Sequence, residues 1–321
     1  MAGNSTLCKA NKTKNDEFYT QISDIENELK HYREHFNGAV VLCNCDDPEW
    51  SNFWKYFHLN FEFLGLKKLI TTHYDPSEPT YKMEYEGGND NNITVGKITP
   101  LKQNGDFRSP ESIELLQEAT IVVTNPPFSL FREYISQLME YDKKFIVIGN
   151  MNAITYKEIF PLIQNNKLWL GNGFKAGNAY FRIPKNAISS YAKGVYDETT
   201  GLVKFRNCNW FTNLDIAKRH EPIDLVETYS PEKYPKYSNY DAVEVGKVLD
   251  IPVDYDGMMG VPITFLDKYN PNQFEIIGIS GDLAEPLYID GHKKSGRFYV
   301  GDKRMYDRIV IKRKEVKSDA N

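Results

Sequence analysis

The sequence has 321 residues, which is compatible with one large α/β domain or two smaller domains. Hydrophobic residues make up 41% and charged residues 26%, a globular composition that excludes a disordered or collagen-like chain. The net charge of −5 offers no argument for nucleic-acid binding, and four cysteines do not make a disulfide framework. No apolar run approaches the roughly 18 residues that cross a bilayer, and no secretory signal is recognisable, so we expect a cytoplasmic protein.

The first half of the chain alternates helix and strand patterns. Apolar residues at helical spacing predict a helix over residues 15–36, and a nearly continuous apolar run predicts a buried strand over 39–45. An aromatic-rich helix over 50–66 and a second strand over 66–74 follow. Prolines, glycines and a polar tract then predict a loop or small insertion over 75–105.

The alternation resumes after this predicted loop. The patterns predict a helix over 109–118, a strand over 120–124, a helix over 129–141 and a strand over 144–149. Alternating strands and helices indicate an α/β fold, in which helices cover both faces of a parallel sheet.

After about residue 170 the chain becomes rich in short strand-like runs and loops. These runs are GNGFKAG (171–177, whose glycines also suit a turn), FRIP (181–184), LVKFRNCNWF (202–211), FEIIGI (274–279), RFYV (297–300) and RIVIK (308–312). We therefore expect the organisation of the chain to change near residue 170.

The tetrapeptide Asn125-Pro126-Pro127-Phe128 lies between a predicted strand and a predicted helix. Two prolines make a stiff loop at the carboxyl end of a parallel strand, where open α/β sheets bind ligands. The side-chain oxygen of Asn125 and a prolyl carbonyl can bind the two hydrogens of a ring-conjugated amine such as adenine N6, while Phe128 stacks on the extruded base. The pattern therefore predicts an amino-methyltransferase. The alternative is a proline-rich turn in which Asn125 caps the next helix.

A methyltransferase needs a donor site, and the segment Cys43-Asn44-Cys45-Asp46-Asp47-Pro48 follows the first predicted strand. The segment lacks the glycines that hold a dinucleotide pyrophosphate, and its two carboxylates would repel that anion. Asp46 and Asp47 would instead tolerate the sulfonium and ammonium groups of S-adenosylmethionine. Either aspartate could also cap the next helix.

Two further patterns concern metal and cysteine chemistry. The segment from His31 to His35 matches a zinc-peptidase pattern, but at about 100° per residue both histidines point away from the apolar face of the helix. We therefore predict no metal site. None of the four cysteines follows a proline, which argues against the nucleophile of carbon methylation.

The stretch 293–317 holds ten basic residues against three acidic ones, a local charge of about +7. One interpretation is a solvated basic tail, and the other is a set of phosphate contacts that includes Lys312, Arg313 and Lys314. The loops over 229–262 are rich in Tyr, Asn and Gly. We expect them to suit contacts in a DNA groove better than core packing.

Several segments together resemble the EcoRI-type adenine-specific DNA methyltransferases. They are DEFYTQISDIENEL (16–29), CNCDDP (43–48), GDFRSPESIELL (105–116), TNPPFSLFREY (124–134), YPKYSNYDA (234–242) and GMMGVPITFLDKYNPNQFEIIG (257–278). The resemblance implies a Rossmann-like, S-adenosylmethionine-dependent methyltransferase fold with a β- and loop-rich carboxyl-terminal target-recognition region. Residues 1–170 would form the catalytic core with the donor site and the NPPF loop. Residues 171–321 would form the remainder of the core and the target-recognition region.

The resemblance also implies which residues hold the donor. Three segments would contact S-adenosylmethionine: Phe18-Tyr19-Thr20, Cys45-Asp46-Asp47 and Asp106-Phe107. The first would lie against the methionine part of the donor, the second in the place of a glycine-rich motif, and the third against the adenine. Asp75 is the candidate for the ribose hydroxyls.

We therefore expect a site-specific N6-adenine methyltransferase that acts on double-stranded DNA. It would transfer the methyl group directly from S-adenosylmethionine to a flipped-out adenine, without a metal. It would be the modification enzyme of a restriction-modification system, with a cognate restriction endonuclease as candidate partner, or an orphan or phage methylase. Methylation of RNA or of a protein glutamine, and a catalytically silent DNA-binding module, are the alternatives. The sequence does not indicate the oligomeric state.

Overall fold

The computed structural model describes residues 18–45, 47–75, 79–88, 91–183 and 195–314. The chain divides into two compact units. The first comprises Met1–Ala153 and Leu170–Asp215, and the second comprises Ile154–Trp169 and Ile216–Asn321. The functional division expected after residue 170 stays a prediction.

The first unit is a mixed α/β structure, as expected. Its elements, with β8 at the boundary between the units, are β1 (Tyr19–Thr20), α1 (Ile22–Leu29), β2 (Val40–Cys43), α2 (Asn52–Leu59), α3 (Phe61–Leu64), β3 (Lys68–Thr72), β4 (Tyr81–Tyr85), β5 (Lys97–Pro100), α4 (Pro110–Glu118), β6 (Ile121–Thr124), α5 (Phe131–Glu140), β7 (Lys144–Asn150), β8 (Trp169–Leu170), β9 (Asn178–Arg182), β10 (Tyr196–Asp197), β11 (Leu202–Arg206) and β12 (Cys208–Thr212). Eight strands form one large sheet in the order β5-β4-β3-β2-β6-β7-β12-β8.

The centre of the large sheet is parallel. Strand β2 pairs in parallel with β3 on one side and with β6 on the other, and β6 pairs in parallel with β7. Every residue of β2 and β6 is buried, as their continuous apolar runs predict for strands that are covered on both faces. Since the chain passes from β2 to β3 and then returns to β6 on the other side, the strand order reverses at β2. Ligands of open α/β sheets bind at such a reversal, outside the carboxyl ends of the strands.

Residues 75–105 are more than the loop or small insertion that their composition predicts. They contain β4 and β5, which extend the sheet in antiparallel fashion beyond β3. The side chains of Trp54 and His58, both on α2, hydrogen-bond to the backbone oxygens of Ile93 and Val95. Strand β5 is an edge strand on which most side chains are exposed, so the alternation that reveals a half-buried strand is missing.

The helix expected over 15–36 is shorter in the structure. Residues 19 and 20 form β1, and after α1 the chain continues as a 3₁₀ helix over Lys30–His35. Strand β1 exists because it pairs with β9, a tertiary contact that overrides local helical spacing. Residues 15–17 lie outside the described ranges.

The helix after β2 begins at Ser51 rather than at an aspartate. The Ser51 hydroxyl accepts hydrogen bonds from two backbone N–H groups in the first turn of α2. The Asp47 carboxylate accepts from the Glu49 N–H instead, so the capping interpretation is wrong for Asp47. Asp46 lies outside the described residues.

A second, four-stranded sheet in the first unit has the order β1-β9-β11-β10 and is antiparallel. The run 202–211 supplies β11 to this sheet and β12 to the large sheet. The division occurs at Asn207, whose φ of 63° turns the chain in the left-handed region. The inward side chains of β9 and β11 are buried, and the outward ones are exposed or half-buried.

The second unit is rich in short strands and loops, as expected. Its elements are α6 (Phe160–Gln164), β13 (Val243–Glu244), β14 (Met259–Pro262), β15 (Phe274–Ile279), α7 (Ser280–Leu283), β16 (Leu287–Ile289), β17 (His292–Lys294), β18 (Tyr299–Val300), β19 (Lys303–Arg304) and β20 (Arg308–Arg313). Four of the strands form a sheet in the order β13-β14-β20-β15, and two hairpins, β16–β17 and β18–β19, accompany it.

The loops over 229–262 contribute to the core, contrary to expectation. Tyr234, Tyr237 and Asn239 are all buried. The Tyr234 hydroxyl donates to the Asp250 carbonyl at 2.8 Å, and the Asn239 side-chain nitrogen donates to two backbone carbonyls. These side chains satisfy their polar groups within the second unit, so the expectation of groove contacts is wrong for them.

The basic stretch is folded over residues 293–314, so the interpretation as a solvated tail is wrong there. Arg308 is buried and donates to both carboxylate oxygens of Glu244 at 2.6–3.1 Å. The Tyr237 hydroxyl donates to the same carboxylate. Arg297 pairs with Asp307 at 2.9 Å. Part of the expected positive charge is therefore neutralised inside the second unit.

Candidate active site

A cleft of about 170 Å³ lies in the first unit at the carboxyl ends of β2, β3 and β6. This is the point where the strand order of the large sheet reverses, as described above. The residues that line the cleft are Phe18, Tyr19, Asn44, Cys45, Asp47, Thr72, His73, Tyr74, Gly105, Asp106, Phe107, Arg108, Asn125, Pro127 and Leu130.

The loop Asn125–Phe128 follows β6 directly, so the sheet positions it at the cleft. Asn125 is buried, and its Nδ2 donates a hydrogen bond to the Phe18 carbonyl at 2.7 Å. This bond joins two segments that are 107 residues apart in sequence. It also orients the side-chain amide of Asn125, so that Oδ1 points away from the Phe18 carbonyl. The following 3₁₀ helix begins after Pro127, so Asn125 is not its N-cap and the capping interpretation is wrong for Asn125.

The ring of Phe128 lies in an aromatic cluster with Phe18, Phe181 and Phe205. The ring centres of these three residues lie 5.6, 6.4 and 6.1 Å from that of Phe128. Phe128 is half-buried, whereas the other three are buried. The cluster therefore supports the Phe128 ring from one side.

The segment after β2 is held by polar contacts with neighbouring elements. The Cys45 N–H donates to the Thr124 hydroxyl at the end of β6, and the Tyr134 hydroxyl on α5 donates to Asn44 Oδ1 at 2.5 Å. Asn44 is buried and lines the cleft, and its Nδ2 has no acceptor among the residues that the structure describes. The cleft therefore contains a buried donor that a ligand can satisfy.

Two carboxylates with different surroundings line the cleft. Asp47 Oδ2 lies 3.7 Å from His73 Nε2. Asp106 accepts two hydrogen bonds from the Arg108 guanidinium, at 2.6 and 2.8 Å. The guanidinium holds the pKa of Asp106 below its ordinary value, so this group is a carboxylate at neutral pH.

A glycine precedes Asp106 for a steric reason. Gly105 has a φ of +76°, and a Cβ there would lie 2.1 Å from the His73 carbonyl oxygen. Phe107, on the other side of Asp106, is buried with its ring edge-on to Tyr134 at 5.0 Å. The segment therefore approaches β3 closely and offers an apolar ring beside a carboxylate.

The structure brings most of the expected site residues to one cleft. Those that line it are Phe18, Tyr19, Cys45, Asp47, Asp106, Phe107, Asn125 and Pro127. Thr20, Asp75, Pro126 and Phe128 are described but do not line the cleft, and Asp46 falls outside the described residues.

Sequence reasoning missed Asn44, His73 and Arg108. His73 directly follows β3, so its position at a strand end was the available signal. Arg108 follows Asp106 by two residues, a spacing that permits the observed ion pair. Nothing in the sequence indicates that Asn44, rather than its acidic neighbours, presents an unsatisfied donor.

Neither a metal site nor a membrane-spanning helix is found among the described residues. Among these residues no group of three or more His, Cys, Asp or Glu side chains could hold a metal ion. The His35 ring instead hydrogen-bonds to the Asp215 carbonyl at 2.9 Å. No described helix is long and apolar enough to cross a membrane.

Comparisons with known proteins extend these observations. The family model described as adenine-specific methyltransferase EcoRI matches residues 6–314. The chain is 48% identical to the Type II methyltransferase M.EcoRI of Escherichia coli, over 95% of this chain and 98% of the relative. It is 39% identical to the Type II methyltransferase M.MpnI of Mycoplasma pneumoniae, over 96% of this chain and 98% of the relative. No solved structure is significantly similar to the chain.

The chain belongs to the EcoRI family of adenine-specific methyltransferases. It is an enzyme that methylates adenine in DNA, as the sequence predicts. The family resemblance inferred from the six sequence segments is thereby confirmed.

Proposed function

We propose that the cleft binds S-adenosylmethionine and that the loop Asn125–Phe128 presents adenine N6 to it, on a Rossmann-like methyltransferase fold. The hydrogen bond from Asn125 Nδ2 to the Phe18 carbonyl carries this proposal. It joins a segment expected to contact the donor with the loop expected to contact the acceptor. The methyl donor and the target adenine would thus both be held at a single cleft.

The residues of the cleft fit this donor, which supplies an electrophilic methyl group on a positively charged sulfur. The carboxylate of Asp47 complements its cationic groups, and Asp106 and the Phe107 ring lie where we expect its adenine. Asn44 Nδ2 offers a buried donor that has no acceptor among the described residues. Such a donor gains a full hydrogen bond when a ligand oxygen or ring nitrogen reaches it.

Asn125 and the prolines act on the target amine. The Asn125 Oδ1 and a carbonyl of the Pro126-Pro127 pair accept the two N6 hydrogens. Holding both hydrogens draws the nitrogen lone pair out of conjugation with the ring and aims it at the methyl group. Because Phe18 already fixes the amide, the acceptor needs no reorganisation during transfer.

Phe128 holds the extruded base. Its half-buried ring is supported by Phe18, Phe181 and Phe205, so the side away from this cluster can stack on adenine. Stacking of a base on an aromatic side chain contributes about 1–3 kcal/mol. We propose direct in-line transfer without a covalent enzyme intermediate.

We propose that the second unit recognises the target sequence. Lys312, Arg313 and Lys314 lie at the end of β20 or just after it, and their side chains are exposed or half-buried. They supply phosphate contacts, which position a duplex without reading its bases. The Type II names of the relatives support a restriction endonuclease of the same specificity as partner.

A methylation assay tests the proposed function. Purified protein is incubated with duplex DNA and S-adenosylmethionine labelled in the methyl group, and the nucleosides are separated by mass spectrometry. We expect label in N6-methyldeoxyadenosine alone. Structured RNA and a glutamine-containing peptide serve as competing acceptors, and label in either of them instead of DNA would refute the proposal.

Donor binding is measured separately by calorimetry, without DNA. S-adenosylmethionine should bind the parent protein, and Asn44→Leu should bind it more weakly because the buried donor is lost. Asn60→Leu is the matched control, since that amide donates to a carbonyl of its own helix. Equal affinities in all three proteins would remove Asn44 from the donor site.

A further inference from the structure

The four-stranded sheet of the first unit presents two chemically different faces. Its inner face carries the buried rings of Phe181 and Phe205, on which Phe128 of the catalytic loop packs. Its outer face carries side chains that alternate with these rings along β9 and β11. The outer face therefore lies on the opposite side of the sheet from the Phe128 ring.

The outer face is basic and aromatic. It carries Tyr180 and Arg182 on β9 and Lys204 and Arg206 on β11. Tyr180 is paired in register with Lys204, and the Lys204 ammonium lies 5.7 Å from the centre of the Tyr180 ring. Side chains two residues apart on a strand project in the same direction, so the three cations share one surface.

These cations differ from the arginines that are paired with carboxylates elsewhere in the protein. Arg108 and Arg308 are each paired with a carboxylate. Within the described ranges, Arg182, Lys204 and Arg206 form no ion pair. On a chain whose net charge is −5, this face therefore gathers three cations that no described carboxylate neutralises.

One acidic residue, Asp197, lies on the neighbouring edge strand β10, opposite Leu202 of β11. Its carboxylate accepts a hydrogen bond from the Thr199 N–H in the adjoining turn. Counting Asp197 against the three cations leaves the face positive. A surface of this charge, with arginines and a tyrosine, has the chemistry of a phosphate-binding surface.

We propose that the outer face of β9 and β11 binds the phosphodiester backbone of the duplex DNA that flanks the target adenine. This inference rests on the action of the enzyme on DNA. A base that leaves the stack remains attached to its own backbone, so phosphates must pass close to the loop that receives it. The sheet thus couples phosphate contacts on one face to support of Phe128 on the other.

Salt dependence of DNA binding tests this surface. The variant Arg182→Gln/Lys204→Gln/Arg206→Gln is compared with Lys30→Gln/Lys67→Gln/Lys97→Gln, which removes the same charge from exposed sites elsewhere in the first unit. Each phosphate contact contributes about −0.9 to the slope of log affinity against log salt. We expect the sheet variant to flatten the slope by about 2–3 for target and non-target duplexes alike. The control variant should retain the parent slope.

Single variants complete the test, with donor binding as a separate measure of correct folding. Arg182→Gln and Arg206→Gln should each flatten the slope by about 0.9, with donor binding by calorimetry unchanged. A parent slope in the folded sheet variant, or equal flattening in the control, would overturn the proposal. Methylation of DNA by the parent protein is scored separately, so a failure of this surface leaves the catalytic proposal intact.

Discussion

The cleft of the first unit and the Glu244–Arg308 pair of the second unit use charged side chains in opposite ways. In the cleft, Asp47 lies on the segment that follows β2 and lines the cavity. In the second unit, Glu244 and Arg308 are buried and satisfy each other, with the Tyr237 hydroxyl as a third member. We therefore expect the Asp47 carboxylate to serve a ligand and the Glu244–Arg308 pair to stabilise the fold.

Removing one partner of the buried pair should have the largest effect on stability. We expect Glu244→Ala to lower the free energy of unfolding by about 3–5 kcal/mol, because the Arg308 charge remains buried without a partner. Urea unfolding with hydrogen exchange resolved for the second unit measures this effect. The double variant Glu244→Leu/Arg308→Met should recover most of the loss. An equal loss in the single and double variants would contradict the assignment.

Removing a polar group from the catalytic loop should lower the reaction rate rather than the stability. We expect Asn125→Ala to reduce the single-turnover rate by about 10²–10³, because a positioned acceptor for the target amine is lost. Donor binding should change little. Asn165→Ala is the matched control, since that exposed amide contacts a carbonyl of its own helix and should leave the rate unchanged. Turnover at the parent rate in Asn125→Ala would remove the loop from the reaction.

Removing the Phe128 ring from the aromatic cluster should have an intermediate effect. Phe128→Ala should weaken capture of the extruded base by about 1–3 kcal/mol, whereas Phe128→Tyr should remain active. The fluorescence of 2-aminopurine at the target position reports base extrusion. An unchanged signal in Phe128→Ala would show that the ring serves only the packing with Phe18, Phe181 and Phe205.

The smallest expected effect concerns the half-exposed Arg108–Asp106 pair. Arg108→Gln should cost about 0.2–1 kcal/mol at neutral pH, because the pair is partly solvated. Since Arg108 lowers the pKa of Asp106, the pair contributes stability above the ordinary aspartate pKa and loses it as the pH falls through the lowered value. The difference in thermal midpoint between parent and variant should therefore shrink on acidification. A difference that grows would contradict this sign.

Local sequence patterns reveal some strands of the protein and miss others. The parallel strands β2, β6 and β7 are apolar runs bounded by polar residues, so local pattern reveals them. Strand β1 exists only through pairing with β9, and local pattern predicts a helix there. Strand β5 lies at an exposed edge and carries little apolar signal. The buried Tyr234 and Asn239 show that composition cannot separate a solvated loop from one whose polar groups are satisfied internally.

Site residues could be predicted where a polar side chain suited to binding or catalysis follows the end of a strand. Asn125 and Asp47 follow β6 and β2, and parallel strands bring their carboxyl ends to one edge of a sheet. The contact between Asn125 and Phe18 could not be predicted from local pattern, because it joins distant parts of the chain. The role proposed for Asn44 depends on which side of its amide Tyr134 occupies, which only the structure shows.

The pairing of β1 with β9 has a consequence for the order of events during synthesis. Tyr19 pairs with Arg182, so β1 cannot form its strand pairing until more than half of the chain has been made. At about 5–20 residues per second, this delay is on the order of ten seconds. The parallel centre of the large sheet can form earlier on the ribosome. We therefore expect a truncated chain that ends before β9 to lack the strand pairing next to Phe18, whose carbonyl orients Asn125, and to methylate DNA more slowly than the full chain.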